Sequence, residues 1–320
     1  MELSEGPYPG GRSFAFTIVD DTDGSTVANV KPVYDLLEEL GLRTTKTVWM
    51  QRSAEPDQFT GSGTMQDAEY AAFVLELHRK GFEIALHMAA PGPSRREETI
   101  AAYDAFRRIF GADPAINANH SMNTENIYWG RDRLDGSLLR WLYGRMTPWE
   151  RFRGHEEGSE WFWGDVCRAR TRYLRNFTFD EIDTLKVNPG MPYHDPRRPH
   201  VNLWFSSADG SDGRRFTELI REENVARLER EKGCCIVYTH FAKGFVKDGG
   251  LDPEWVSRMR ALAGRPGWFA PASRVLDHLG ARAGGSGGRP LGWAERTRLS
   301  TRWALERLRD RSRARRRRQG

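Results

Sequence analysis

Cysteine is scarce in this 320-residue chain: there are three, and two of them are adjacent, Cys234 and Cys235. That is too few for a disulfide framework, and the adjacent pair, early in an apolar run, is expected on opposite faces of one strand in a structural role. Long apolar runs are missing too, and none approaches the roughly 20 residues that cross a bilayer. The start, Met1-Glu2-Leu3-Ser4-Glu5-Gly6, has neither the basic region nor the apolar region of a secretory leader. Together these absences predict a cytoplasmic protein. Net positive charge is absent from most of the chain as well. Eleven arginines lie between Leu291 and Gly320 against Glu295, Glu306 and Asp310, a local net charge of +8, so the +5 of the whole leaves −3 on residues 1–290. The pI of 9.2 therefore describes a tail. What the chain does have is 38% apolar residues, 11 Trp and 16 Phe. That is enough for a core, in one large α/β domain or two small ones.

The stretch that organises the rest is Phe14-Ala15-Phe16-Thr17-Ile18-Val19-Asp20-Asp21-Thr22-Asp23-Gly24. An apolar, β-branched run bounded by a turn signal reads as a buried strand. Ionised carboxylates at its end are costly unless a cation, a proton or hydrogen bonds compensate them. The cluster is therefore either a metal or acid–base site, or a plain turn in which Asp23-Gly24 reverses the chain.

Downstream, Asn29 is a candidate N-cap for a helix with Val33, Leu36, Leu37 and Leu40 on one face, Pro32 in its first turn and Gly41 at its end. Thr44–Met50 reads as a strand, Asp67–Lys80 as a helix, Phe82–His87 as a strand, Ser94–Phe110 as a helix and Ala115–His120 as a strand. Strands at Val201–Ser206, Cys234–His240 and Gly267–Ala270 continue the pattern, the last followed by a helix from Ser273. Strand–helix alternation of this length implies right-handed parallel crossovers, hence an α/β sheet or barrel. The tryptophan-rich stretch from Tyr128 to Pro199 reads as an elaboration over one end of a barrel. The expected domain spans 13–282, a Gly/Ser linker 283–290, and a dispensable basic tail, helical or disordered, 291–320.

In parallel α/β folds the site gathers at the carboxyl ends of the strands. Here those ends carry Asp20-Asp21, His87, Asn119-His120 and Thr239-His240. His78 and His278 sit within helical patterns, and His194 and His200 in a Pro/Arg-rich loop. A carboxylate and two imidazoles can hold a divalent ion with a position left open. Zinc brings the pKa of water it binds to about 7. A second carboxylate can then accept a proton and a histidine can donate one, which describes hydrolysis of an amide or ester.

The ordered motifs resemble the polysaccharide deacetylase superfamily (NodB homology, family 4 carbohydrate esterases), whose fold is a distorted (β/α)7 barrel. That family opens with a strand ending Thr-Phe-Asp-Asp-Gly, matched here by Thr17-Ile18-Val19-Asp20-Asp21-Thr22. The match implies Asp20 as general base and Asp21 as metal ligand. The family's Gly-x-Glu-Ile-x-x-His is matched by Gly81-Phe82-Glu83-Ile84-Ala85-Leu86-His87, implying His87 as a ligand. Its closing strand, ending in a histidine that acts as general acid, is matched by Ile236-Val237-Tyr238-Thr239-His240. The similarity spans residues 13–280. The family's second metal histidine would fall at Pro91, and its Arg-x-Pro loop is replaced by Asn117-Ala118-Asn119-His120-Ser121-Met122-Asn123. His120 from the adjacent strand, or Asp23 from the first loop, is the candidate third ligand; otherwise the site binds metal weakly or not at all.

The implied cofactor is a divalent metal, Zn2+ for preference, and the implied reaction is removal of an acyl group from an N-acylated sugar or glycan precursor. The rivals are a metal-independent carbohydrate hydrolase using Asp20 as base or nucleophile, and a carbohydrate-binding protein with decayed catalysis. In the middle segment, Gly154–Asp165 with Asn126–Gly130 can line a carbohydrate cleft or form core and solvated loop. His155 is a candidate there, and the resemblance implies Trp163 and Asp165 as supports of the catalytic residues. Asn119 is a further support candidate, and Lys243, just past His240, can meet an anionic substrate group. A basic helix with Trp and Leu can lie on anionic lipid, and an arginine block can bind nucleic-acid phosphates, so the tail has either as a candidate partner.

Overall fold

The structure, a computed structural model, describes residues 6–54, 59–120, 123–284 and 288–319, with side chains through residue 310. Strand β1 (Phe14–Asp20) is buried at all seven positions, as its unbroken apolar run requires. The chain continues through α1 (Val27–Glu39), β2 (Thr45–Val48), α2 (Ala68–Arg79), β3 (Glu83–Leu86), α3 (Arg96–Phe110) and β4 (Ile116–Ala118). Then follow α4 (Ser137–Met146), α5 (Gly164–Arg170), β5 (Tyr173–Phe179), α6 (Thr184–Val187) and β6 (Leu203–Asp209). The last part comprises α7 (Gly213–Leu219), α8 (Glu222–Arg230), β7 (Cys234–Thr239), α9 (Pro253–Ala263), β8 (Gly267–Phe269), α10 (Ala272–Arg282) and α11 (Trp293–Gln319).

Strands β1 to β7 close a parallel barrel. Each pairs with the next, and β7 returns to β1 with Ala15 to Asp20 opposite Cys234 to Thr239. Strand β8 adds to β1 at Phe14–Phe16, beside the point where β2 joins it at Val19–Asp20. The fold is a distorted (β/α)7 barrel with an aromatic-rich elaboration. Parallel closure puts all seven carboxyl ends at one mouth, where β1, β3, β4 and β7 deliver their polar residues.

Local signals shift some boundaries. Helix α1 begins three residues earlier than Asn29 would place it: Thr26 is the N-cap, and Asn29 completes a reciprocal pair, accepting from the Thr26 N–H at 2.8 Å. Pro32 thus lies inside the helix. The Tyr128–Pro199 stretch hides a barrel strand, β5, because Arg175 and Asn176 interrupt its apolar pattern although both are buried.

The residues after 288 are part of the packing. Arg289–Pro290 runs parallel beside Tyr193–His194, while Gly285, Ser286 and Gly287 of the expected linker lie outside the described residues. Helix α11 buries Leu299 and Trp303, and the Trp303 ring meets Tyr143 of α4 at 5.6 Å and Phe177 of β5 at 5.8 Å. Ser300 Oγ accepts from the Asp135 N–H at 2.9 Å and Glu306 from the Asp180 N–H at 2.9 Å. The segment expected as a dispensable tail, helical or disordered, is through residue 310 a docked helix. Among the described residues no helix is long and apolar enough to cross a membrane.

Candidate functional site

At the end of β1 the three acids go to three different places. Asp20 is fully buried: one carboxylate oxygen accepts from the Phe241 N–H at 2.8 Å, the other from Tyr34 Oη at 2.8 Å, and Lys46 Nζ is 2.9 Å away. Burial works against the Lys46 charge, but Asp20 beside it outweighs that and holds the lysine above its ordinary value. Asp20 does not reach the cavity at the barrel mouth. The base role expected for it is not supported by its surroundings, because its lone pairs are spent inside the barrel.

After Asp20 the chain turns. Thr22 is tied through its N–H to Thr47 Oγ1 at 3.2 Å and through its hydroxyl to Tyr70 at 2.7 Å, and Gly24 takes φ +73°. That turn aims Asp21 and Asp23 into the cavity. Both Asp21 oxygens accept from the Arg175 guanidinium, one at 2.9 Å. Burial raises the Asp21 pKa, but the Arg175 charge wins and keeps the carboxyl below its usual range. Asp21, expected as a ligand, is thus held by an arginine, with His87 Nε2 at 3.7 Å.

Asp23 is the focus of the histidines. His87 Nε2 lies 2.9 Å from its Oδ1, His240 Nε2 3.2 Å from its Oδ2 and His120 Nε2 3.6 Å from its Oδ2. Each ring's other nitrogen is committed to an oxygen: His87 to Ala118 O at 3.1 Å, His120 to Asn123 Oδ1 at 3.0 Å, and His240 to Ser211 O at 2.7 Å. Carbonyl oxygens only accept, so each Nδ1 carries the proton. In the neutral ring every Nε2 then turns a lone pair on the same carboxylate. Such an arrangement needs protons or a cation between the partners.

The orphaned atoms give the test of fit. Asp23 Oδ1, despite its 2.9 Å approach to His87, lacks the alignment of a hydrogen bond, and His120 Nε2 also has no hydrogen-bond partner among the described residues. Asp23, His87 and His120 offer ligand atoms all within 4.8 Å of one another. One carboxylate and two imidazoles oriented through their Nδ1 atoms fit a divalent cation such as Zn2+. Burial raises the Asp23 pKa, but the facing imidazoles of His120, His240 and His87 outweigh it and hold the carboxyl well below its usual range. Burial opposes the His120 charge, yet Asp23 lifts that imidazole above its ordinary value. Behind His120, Asn123 donates to Glu125 Oε1 at 2.9 Å, and burial pushes the Glu125 carboxyl up to about 7.

The cavity measures about 650 Å3 and runs from these residues to a wall that α11 helps to build. There the buried Arg133 guanidinium lies between Trp129, at 3.9 Å, and Trp303, at 4.0 Å. Burial brings its pKa down to about 10. Arg307 of α11 and Arg215 of α7 both pair with Asp209 and Asp310 at the rim.

The other expected site residues are dispersed. Asn119 lines the cavity and clamps the following loop through both bonds to Ile127, at 3.1 Å. Lys243, half exposed, has Nζ 3.7 Å from Asp23. Trp163 is buried core, donating to Glu125 O at 2.6 Å. Asp165 is off the cavity, exposed and bidentate with Arg96 at 2.7 Å. His155 is also off the cavity, accepting from the Tyr128 N–H at 3.2 Å, its pKa lowered by burial. Of the aromatics expected in the cleft, Trp129 lines it; Trp161 and Phe162 do not. Sequence reasoning missed Arg175, Lys46, Trp303 and Arg307. Only Arg175 left a signal, a lone charge between aromatics at alternating positions.

No protein-family model matches the sequence, and no curated protein matches it. Solved structures do. A Mycobacterium smegmatis protein assigned as a polysaccharide deacetylase superposes with a TM-score of 0.50 at 14% identity, over 86% of this chain and 93% of that one. One from Pseudomonas aeruginosa PAO1, with the same assignment, gives 0.49 at 13%, over 86% and 94%. The peptidoglycan deacetylase PdaC of Bacillus subtilis gives 0.41 at 11%, over 84% and 92%. The chain has the fold of the polysaccharide deacetylases, and at these identities the likeness speaks to fold alone.

Proposed function

We propose that the protein is a metal-dependent hydrolase that removes an acyl group from an N-acylated sugar or glycan precursor. The observation that carries this is the convergence of three imidazole Nε2 atoms on Asp23, beside the Arg175-held carboxylate of Asp21, at one end of the cavity. Asp23, His87 and His120 would hold the cation, which supplies a Lewis acid for the acyl carbonyl and makes attacking water more acidic. Asp21 takes the base role that the motif match gives to Asp20. Its carboxylate lines the cavity, stays ionised, and can accept the proton of the attacking water. His240, its ring fixed by the bond to Ser211 O, presents Nε2 to the cavity and in its protonated form returns a proton to the departing amine. Arg175 keeps Asp21 oriented, and Trp129 offers an apolar face to a sugar ring.

The sealed surroundings of Asp20 count against the metal-independent rival that relies on it. Acetate release from N-acetylated sugars, assayed before and after chelation and after restoring Zn2+ or Co2+, tests the reading. Chelation should abolish release and the metal should restore it. Asp21→Asn and His240→Gln should each lower kcat by at least about 10²-fold. Full turnover by the chelated protein would overturn the reading.

A further inference from the structure

Ten large apolar side chains are exposed among the described residues, and eight of them fall on two neighbouring segments. The first is α4 with the turn after it, which exposes Leu138, Trp141, Leu142, Met146 and Trp149. The second is α11, which exposes Trp293, Leu305 and Leu308. Their inward sides touch through Tyr143 and Trp303. Trp141, Trp149 and Trp293 are 58%, 67% and 70% exposed, far more than a core or a sugar cleft would leave them. Scattered single apolar residues need no explanation, but this concentration does.

The net charge on the same segments is positive, although Glu150, Glu295, Glu306 and Asp310 lie among the arginines. Arg145, Arg151, Arg298 and Arg309 are exposed, and they make no ion pair among the described residues. The backbone helix of α11 runs on to Gln319 through six further arginines. The segment from Leu291 carries +8 on a body of −3. Exposed Trp and Leu interleaved with arginine suit an interface that is apolar below and anionic above, where indoles settle at headgroup depth. Phosphates of a nucleic acid would use the arginines and leave the leucines and Met146 without a partner. A second copy of this chain would bring equal positive charge to the same face.

We propose that α4 and α11 form a docking face for an anionic membrane surface. The inner sides of the same segments contribute Tyr143, Glu150, Trp303 and Arg307 to the cavity wall, so docking brings the cavity to the lipid. Resting on the proposed deacetylation, this makes the substrate a lipid-linked acylated sugar presented at that surface.

The test is co-sedimentation of the full chain with vesicles of phosphatidylcholine alone and of phosphatidylcholine with phosphatidylglycerol, at low and high salt, with tryptophan emission recorded. At least tenfold stronger partition onto the anionic vesicles, with a blue shift, is expected. The triple variant Trp141→Ser/Trp149→Ser/Trp293→Ser should lose the blue shift and at least tenfold of the partition. Arg298→Glu/Arg309→Glu should lose the preference for anionic lipid. No partition, equal partition onto both vesicles, or unchanged binding by the triple variant would overturn the proposal. So would displacement by an oligonucleotide, or self-association that shields the tryptophans in place of vesicle binding. The readout involves no turnover, so absence of acetate release would sink the hydrolase reading and leave membrane docking standing.

Discussion

Asp20 and Asp23 are separated by two residues and do opposite things with the same functional group. Asp20 neutralises Lys46 in a place where neither side chain meets water. Taking one partner of a buried ion pair away strands the other, at a cost of about 3–5 kcal/mol. Asp20→Asn is therefore expected to lower unfolding free energy by that order in urea titration. Adding Lys46→Met should recover much of the loss; a double variant no better than the single one would show that Asp20 does not act through Lys46. Glu125 gives a pH prediction. Burial raises its carboxyl to about 7, whereas an unfolded glutamate titrates near 4.3. The folded state thus holds the proton longer, so the contribution is present below about pH 4.3 and is lost as pH rises through about 7. Glu125→Gln should flatten the fall in stability between pH 5 and 8, and an unchanged slope would remove Glu125 as its source.

At the scale of elements, the C-terminal helix departs most from what the sequence suggests. Trp303 sits at 4.0 Å over Arg133 and against Tyr143 and Phe177, in a place that a disordered tail would leave open. Trp303→Ala should cost about 3–5 kcal/mol, with loss of near-ultraviolet ellipticity from the aromatic cluster. A cost below about 1 kcal/mol would mean that α11 is only lightly held. The strands β1, β3 and β7 were legible because each is a mainly apolar run that a titratable residue, Asp20, His87 or His240, ends or directly follows. Strand β5 was not, since its Arg175 is buried by pairing with Asp21, a partner 154 residues away that no local pattern shows. Helix α11 was open to a helical reading, but its docking was obscured, because arginine dominates its composition and the few residues that dock it are spaced among charges. The candidate site was legible as a set of strand ends. The choice among Asp20, Asp21 and Asp23 was not, because it depends on where one turn points each carboxylate.

For the whole molecule, the three cation-fitting residues come from the ends of β1, β3 and β4, and the β3–β4 ladder is thin, with Leu86 opposite Asn117 as its one register pair. A cation held by Asp23, His87 and His120 would tie these strands together at the mouth of the barrel. The unfolded chain does not assemble the set, so binding should stabilise the fold by mass action, about 2.7 kcal/mol at a free concentration 100 times Kd. Addition of Zn2+ to chelator-treated protein is expected to raise Tm, and Asp23→Ala should show no rise. Protons compete for the same atoms. Because Asp23 lifts the His120 pKa against the opposing effect of burial, the zinc-dependent rise should fade on acidification at a higher pH than an ordinary histidine would give. Thermal melts with and without Zn2+ across pH 5–8 check this. An equal rise in Asp23→Ala would place the cation elsewhere, and a rise that does not change across this range would mean that the imidazoles do not hold it.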